Sequence, residues 1–420
     1  MNYFEYRDGE MHVENIKVAT IADEVGTPFY LYSSASLIYQ FNQFKEAFGD
    51  LDLLICYAVK ANTNQAVIKT LANIGAGADV VSEGEMRRAL EAGVPPSKIV
   101  YSGVAKSSTE MKFALNQGIY QFNVESEPEL FQLSKIADDL NKTADITFRV
   151  NPDVDAKTHA KISTGKSENK FGVPWTSVQD ICSKAAKLPG IKLVGLDLHI
   201  GSQITELDPF EEAFTKISEL VELLKKDGHD ITRLDLGGGL GIPYEGDDFP
   251  PLPREYADMV KKVVSHLGCQ IIIEPGRFLV GNAGILVSKV VYVKKGEERE
   301  FLIIDAAMND LVRPSMYDAY HGIVSITQSD EDSKLYDVVG PVCETGDTFA
   351  TNRLVSPMES GDLLAIRSVG AYGAVMSSTY NTRRLIPEVL VNKDEFAIVR
   401  PRPSYTEMIA LDKLPKWLSK

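Results

Sequence analysis

Short apolar runs return along this chain at intervals of roughly 20–45 residues, and the stretches between them carry apolar positions at helical spacing. The pattern predicts strands at Leu53–Val59, Asp79–Ser82, Ile99–Ser102, Tyr120–Val124, Ile146–Val150, Leu193–His199, Arg233–Leu236 and Gln270–Ile273. Helices are predicted at Ala35–Phe48, Ser82–Glu91, Pro128–Leu140, Phe210–Lys226 and Pro253–Leu267. Eight such units in about 230 residues match a closed (β/α)8 barrel, with a doubly wound open sheet as the alternative. After Phe278 the texture changes. Val287–Val293, Phe301–Asp305, Leu335–Val339, Leu363–Val369 and Ala397–Arg400 read as strands separated by glycine, proline and charged turns, with few helical patterns between them. The expected fold is α/β: a TIM-like barrel over residues 31–278 plus a C-terminal antiparallel β domain over residues 279–420. Residues 1–30, read as short alternating stretches and turns, are expected to join the β domain, and Phe29–Tyr32 is read as a strand.

A chain of 420 residues exceeds one ordinary core, which agrees with two domains. A net charge of −15 argues against a nucleic-acid or anionic-membrane partner. No apolar run reaches membrane-spanning length, and the first ten residues lack the basic head and apolar core of a signal peptide. Cys56, Cys182, Cys269 and Cys343 are widely spaced, which fits a reduced, cytoplasmic protein. The six histidines show no metal-binding spacing, so no metal site is expected.

In a barrel, chemistry gathers at the carboxyl ends of the strands. Here those ends carry Lys60, Asp79 with Ser82, Ser102, Asn123 with Glu125, Arg149 with Asn151, His199 with Ser202, Gly237–Gly239, and Glu274 with Arg277. A lysine ending a buried strand can form an imine. A glycine run lets backbone N–H groups approach a phosphate. A carboxylate such as Glu274 can hold a protonated ring nitrogen or pair with Arg277, and both can hold together. His199 can lie flat on an aromatic ring, though a lone histidine is more often a satisfied core residue. Together the four groups describe pyridoxal 5'-phosphate. In the β domain, Cys343 beside Glu344 in a turn is read as an exposed thiol able to deliver a proton, while Cys56 is read as core.

With these residues in view, the sequence resembles the diaminopimelate decarboxylase family, pyridoxal-phosphate enzymes (group IV decarboxylases) of the alanine racemase-like fold. The resemblance rests on Tyr57–Asn62, Arg149–Asp155 through Lys170–Gly172, His199–Gln203, Gly237–Gly241, Glu274–Arg277, Arg313–Tyr317, Cys343–Asp347 and Ala371–Gly373. It implies Lys60 as the imine lysine, and His199 stacked on the ring. Cofactor contacts are implied from Asp79, Ser202, Gly237, Gly238, Gly239, Glu274, Gly276, Arg277 and Tyr372. It implies substrate contacts from Arg277, Arg313, Tyr317, Glu344 and Tyr372, and Cys343 as proton donor. It further implies a homodimer in which Cys343 and Glu344 enter the partner's barrel. The expected reaction is conversion of meso-diaminopimelate to L-lysine and carbon dioxide, the last step of lysine biosynthesis. The alternatives are a related basic amino acid decarboxylase or racemase of the same fold, or a noncatalytic homologue. The sequence departs from the family at Asn381–Pro387, a segment expected to lie beyond the motif contacts.

Overall fold

The structure is a computed structural model describing residues 3–156, 158–165, 169–244 and 249–418. It divides into two compact units, Leu37–Gly281 and a second comprising Met1–Ser36 with Asn282–Lys420. These divisions fall a few residues beyond the expected positions 30 and 278.

The first unit is a parallel barrel. Its strands are β1 (Leu53–Ala58), β2 (Gly77–Val80), β3 (Ile99–Tyr101), β4 (Gln121–Val124), β5 (Ala144–Asn151), β6 (Ile191–Asp197), β7 (Arg233–Asp235) and β8 (Gln270–Ile273). Each pairs with its neighbour in chain order, and the pairing of β8 with β1 closes the ring. The helices after the first four strands start on polar caps. Asn64, Ser82, Ser107 and Ser126 each accept a hydrogen bond from a backbone N–H of the helix they precede. Such caps satisfy donors that would otherwise be orphaned at the loops where strand turns to helix.

The barrel interior has two characters. Towards the amino ends of the strands, Cys56, Val100 and Ile272 pack together with Leu54 and Tyr120. Next to this layer, Gln121 at the start of β4 is fully buried, and beyond it so are Asn123, Thr147 and Asp235. Barrel interiors are usually filled by branched apolar side chains, so a polar upper layer marks the end at which a ligand is received. Between β6 and β7, strand spacing depends on Gly195. A Cβ there would overlap the Arg233 carbonyl oxygen of β7, and on its other side the residue sits at a register shift against β5.

The second unit is β-rich. Its long strand Gly284–Lys295 pairs antiparallel with Phe29–Ser33, Leu363–Ile366 and Glu300–Ile304. Most pairings are antiparallel. Two are parallel: Lys334–Val339 on Glu300–Ile304, and Glu388–Asn392 on Phe29–Ser33. The amino-terminal segment contributes strands Phe4–Arg7 and Glu10–Val13 and also a helix, Val18–Val25, where the sequence suggested only short stretches and turns. Val18 and Ile21 of that helix join Phe29, Leu31, Ile285, Val287, Ala365 and Val389 in one core. Among the described residues no helix is long and apolar enough to cross a membrane.

Gly195→Ala is expected to lower the stability of the protein by about 2 kcal/mol, because the added methyl must push β6 from β7. Urea unfolding measures it, and an unchanged midpoint would show that the strand pair yields without cost.

Candidate active site at the carboxyl ends of the barrel strands

Lys60 lies in a single 3-10 turn, Val59–Ala61, immediately after β1, one residue past the expected strand end. Its Nζ is 2.6 Å from Asp79 Oδ2 on β2. The lysine side chain keeps 35% of its exposure while Asp79 has none, so the pair spans the edge between barrel interior and solvent. Asp79 Oδ1 is buried with no hydrogen-bond partner among the described residues.

Glu274 follows β8. Its Oε1 accepts from Asn123 Nδ2 at 3.3 Å and from Ser102 Oγ at 3.4 Å. The alternative partner suggested by the sequence, Arg277, instead donates to Ser202 Oγ at 3.1 Å and to the Tyr244 hydroxyl. Burial drives the Glu274 carboxyl well above the ordinary range. Asp235, Asp79 and Asp197 push the same way, and Lys60 partly opposes them. The charge of Lys60 is therefore felt at Glu274.

His199 belongs to the loop after β6. Its Nδ1 accepts from the Gly238 N–H at 3.2 Å, which assigns the ring proton to Nε2. Burial, then the Arg149 and Lys60 charges, hold its pKa well below the usual histidine value. The imidazole is neutral at neutral pH.

The glycine loop is shaped by sterics more than by free donors. A Cβ at Gly238 would overlap the Glu274 carbonyl oxygen, and one at Gly237 would overlap that of Leu198. The Gly237 N–H donates to Asp235 Oδ1 and the Gly238 N–H to His199. Glycine is required because the loops after β6 and β8 leave no room for a side chain. Gly276 packs the same way, its missing Cβ facing Ala58 and Ala61 on either side of Lys60.

Behind these groups lies a layer of buried charge. Asp197, Asp235 and Glu274 present carboxylate oxygens within 4.8 Å of one another. At an effective dielectric near 20, two carboxylates about 5 Å apart repel by roughly 3 kcal/mol. Burial, set against donors from Gly237 and Asn123, raises the Asp235 pKa to about 7, and burial drives Asp197 well above its ordinary value. Nearby, Arg149 Nη1 pairs with Glu125 at 3.2 Å, and Arg149 Nη2 donates to the His199 carbonyl. Buried Lys106 bonds Glu129, Asn123 O and Gly103 O. Asp235, Lys106, Glu129 and Tyr244 were not singled out from the sequence. For Asp235 a signal existed: a carboxylate interrupts a buried strand in Arg-Leu-Asp-Leu, as Asp197 does in Gly-Leu-Asp-Leu.

The barrel thus holds Asp79 near the end of β2, and Lys60, His199, Ser202, Gly237–Gly239, Glu274, Gly276 and Arg277 in the segments that follow its strands. The other candidates belong to the β-rich unit. Arg313 is buried at the start of the short helix Arg313–Tyr317. Tyr372 adopts a left-handed backbone (φ 56°), a strained conformation for a tyrosine. Cys343 and Glu344 are exposed in a turn. Asp347 closes that turn by accepting the Met308 and Val342 N–H groups. The expectation that Asn381–Pro387 lies beyond the motif contacts is corrected. Asn381 Oδ1 accepts the Cys343 N–H at 3.3 Å, and the Tyr380 phenol hydrogen-bonds Glu344. The two segments are distant in sequence, so linear order hid their contact.

A family profile described as pyridoxal-dependent decarboxylase, pyridoxal binding domain, matches residues 34–281. The chain is 47% identical to a diaminopimelate decarboxylase of Zymomonas mobilis, over 99% of each sequence. Among solved structures, the diaminopimelate decarboxylase of Helicobacter pylori complexed with L-lysine aligns with a TM-score of 0.91 at 41% identity, covering 94% of this chain and 98% of that one. That of M. jannaschii in co-complex with L-lysine gives 0.94 at 37% identity, covering 99% and 98%.

The burial of Asp235 has a stability consequence. The folded protein keeps a proton on it up to about pH 7, whereas the unfolded chain releases that proton near pH 4. As pH rises through this window the folded state loses stability, by at most about 1.4 kcal/mol per pH unit. Asp235→Asn cannot ionise, so cofactor-free variant is expected to gain on wild type between pH 5 and pH 7.5 in urea unfolding. A constant difference would contradict the buried protonated carboxyl.

Proposed function

The chain belongs to the pyridoxal-dependent decarboxylases, and from that membership we infer that it converts meso-diaminopimelate to L-lysine and carbon dioxide, the closing step of lysine biosynthesis. The observation that carries this reading is one barrel end on which Lys60, the Gly237–Gly239 loop, His199 and Glu274 bear together. Pyridoxal phosphate fits that end. The loops around Gly237, Gly238 and Gly276 are closed to side chains, and the groups gathered there offer a half-exposed amine, a neutral imidazole and a buried carboxyl.

When bound, pyridoxal phosphate supplies an electron-accepting ring that takes up the electron pair left as carbon dioxide departs. Lys60 would hold the cofactor through its amine, which Asp79 orients by the 2.6 Å contact. Glu274 would hold the ring nitrogen. His199 presents a neutral ring face, fixed by the Gly238 N–H, and so adds no positive charge beside a cationic ring. Ser202, Arg277, Gly276 and the Gly237–Gly239 loop take the phosphate.

Substrate selection is assigned to Arg277, Arg313, Tyr317, Glu344 and Tyr372. The far end of diaminopimelate carries a carboxylate and an ammonium. A guanidinium suits the first and a carboxylate the second. Cys343 delivers the proton to the α-carbon. The barrel is the cofactor-binding domain. The β-rich unit supplies the substrate and proton-donor residues within a cytoplasmic homodimer, a location consistent with four free cysteines.

Lys60→Ala is expected to abolish the visible absorbance of the reconstituted protein and to reduce carbon dioxide release at least about a thousandfold. Retained absorbance with turnover would remove Lys60 from its role. Arg313→Ala is expected to raise KM for diaminopimelate roughly ten- to a hundredfold with a smaller effect on kcat. Unchanged steady-state kinetics would exclude Arg313 from substrate binding.

A further inference from the structure

Three consecutive strands end in carboxylates whose number exceeds what the proposed chemistry uses. Asp197 stands beside Asp235 in the β6–β7 register, and Asp235 beside Ile272, two residues before Glu274. Asn123 Nδ2 donates to both Asp235 Oδ2 and Glu274 Oε1, each at 3.3 Å. Gln121 Nε2 donates to Asp235 Oδ2, and the Gly237 N–H to Oδ1. Asp197 Oδ1 is buried with no hydrogen-bond partner among the described residues.

The surroundings do not neutralise this cluster. Facing it are Cys56 and Lys60 from β1 and its turn, Asp79 from β2, Ser102 after β3, Glu125 after β4, Arg149 from β5, and Tyr256 from the helix Pro253–Val264. His199 sits on the loop after β6 and is neutral. Among the described residues, the cations acting on it are Lys60 and Arg149, and each is already against a carboxylate of its own, Asp79 and Glu125. A cluster so placed keeps a proton, and the shared donor Asn123 brings Asp235 and Glu274 together around it.

Resting on the reading that Glu274 meets the ring nitrogen, we propose that Asp235 is a positioning residue that shares a proton with Glu274 and makes the site select a heterocycle with a basic nitrogen. When such a nitrogen arrives, the Glu274 O–H bond breaks and an N–H bond forms. The proton is moved and none is added. The negative charge of Asp235 behind Glu274 then holds the proton on the nitrogen. Asp235 touches neither cofactor nor substrate and acts through Glu274.

The test compares the affinity of the full-length protein for pyridoxal phosphate and for its 1-deaza analogue, in which a C–H replaces the ring nitrogen. Equilibrium dialysis reads both without turnover. Wild type is expected to prefer the nitrogen-bearing compound, and Asp235→Asn to lose at least about tenfold of that preference. Asp235→Glu is expected to recover part of it. An unchanged preference in Asp235→Asn overturns the proposal while leaving the cofactor reading intact. Failure of wild type to bind pyridoxal phosphate overturns both. Should the variant not fold, infrared difference spectra of wild type decide. Cofactor binding is expected to remove one protonated-carboxyl band, and no such loss overturns the proposal.

Discussion

Buried negative charge in excess of buried positive charge is the constraint on which this barrel end depends. Asp79, Asp197, Asp235 and Glu274 are all at most 6% exposed, and their surroundings answer mainly with Lys60 and Arg149. Leaving such carboxylates ionised and unpaired would cost several kcal/mol each. The chain manages that cost in three ways. It keeps protons on the deepest members. It ties the others to Lys60, Asn123, Ser102 and backbone N–H groups. And it leaves at this end a site that the cationic ring nitrogen of the proposed cofactor would complete. On that proposal, cofactor binding and folding would be coupled through the same carboxylates.

The same constraint explains the division of the barrel interior. Below, Leu54, Cys56, Val100, Tyr120 and Ile272 supply the packed apolar layer that holds strands at fixed spacing. Above, Gln121, Asn123, Thr147 and Asp235 form a hydrogen-bonded layer. In it Thr147 Oγ1 and Gln121 Nε2 both donate to Asn123 Oδ1, orienting its amide towards Asp235 and Glu274. The bonds of this network hold its members in place, because each lost bond leaves a desolvated group, although Gln121 Oε1 is itself buried without a partner among the described residues. Rigidity here is transmitted outward through the glycine loop, whose close approach to Glu274 and His199 leaves it little freedom.

The barrel was legible in the sequence because parallel strands buried on both faces read as apolar runs, and all eight lie within a few residues of their expected places. The amino-terminal helix Val18–Val25 was not, since its eight residues offer barely two turns of periodicity. In the site, Lys60, His199, the glycines and Glu274 announced themselves as polar or glycine residues at strand ends. Asp235, which ends β7, did not, because the expected run Arg233–Leu236 continues past it and its importance comes from neighbours on β4 and after β8 far away in the chain. The contact of Asn381 with Cys343 was hidden for the same reason. Sequence reveals residues whose position within their own element is unusual. It conceals those made important by what the fold brings beside them.

The most direct test of this arrangement is chemical: incubate the protein with pyridoxal phosphate, reduce with borohydride, and locate the modified peptide by mass spectrometry. A single stable adduct on Lys60, formed in wild type and retained in Cys343→Ala, is the expected result. An adduct on Lys106 or on surface lysines, with Lys60 unmodified, would contradict the assignment of this barrel end as the cofactor site.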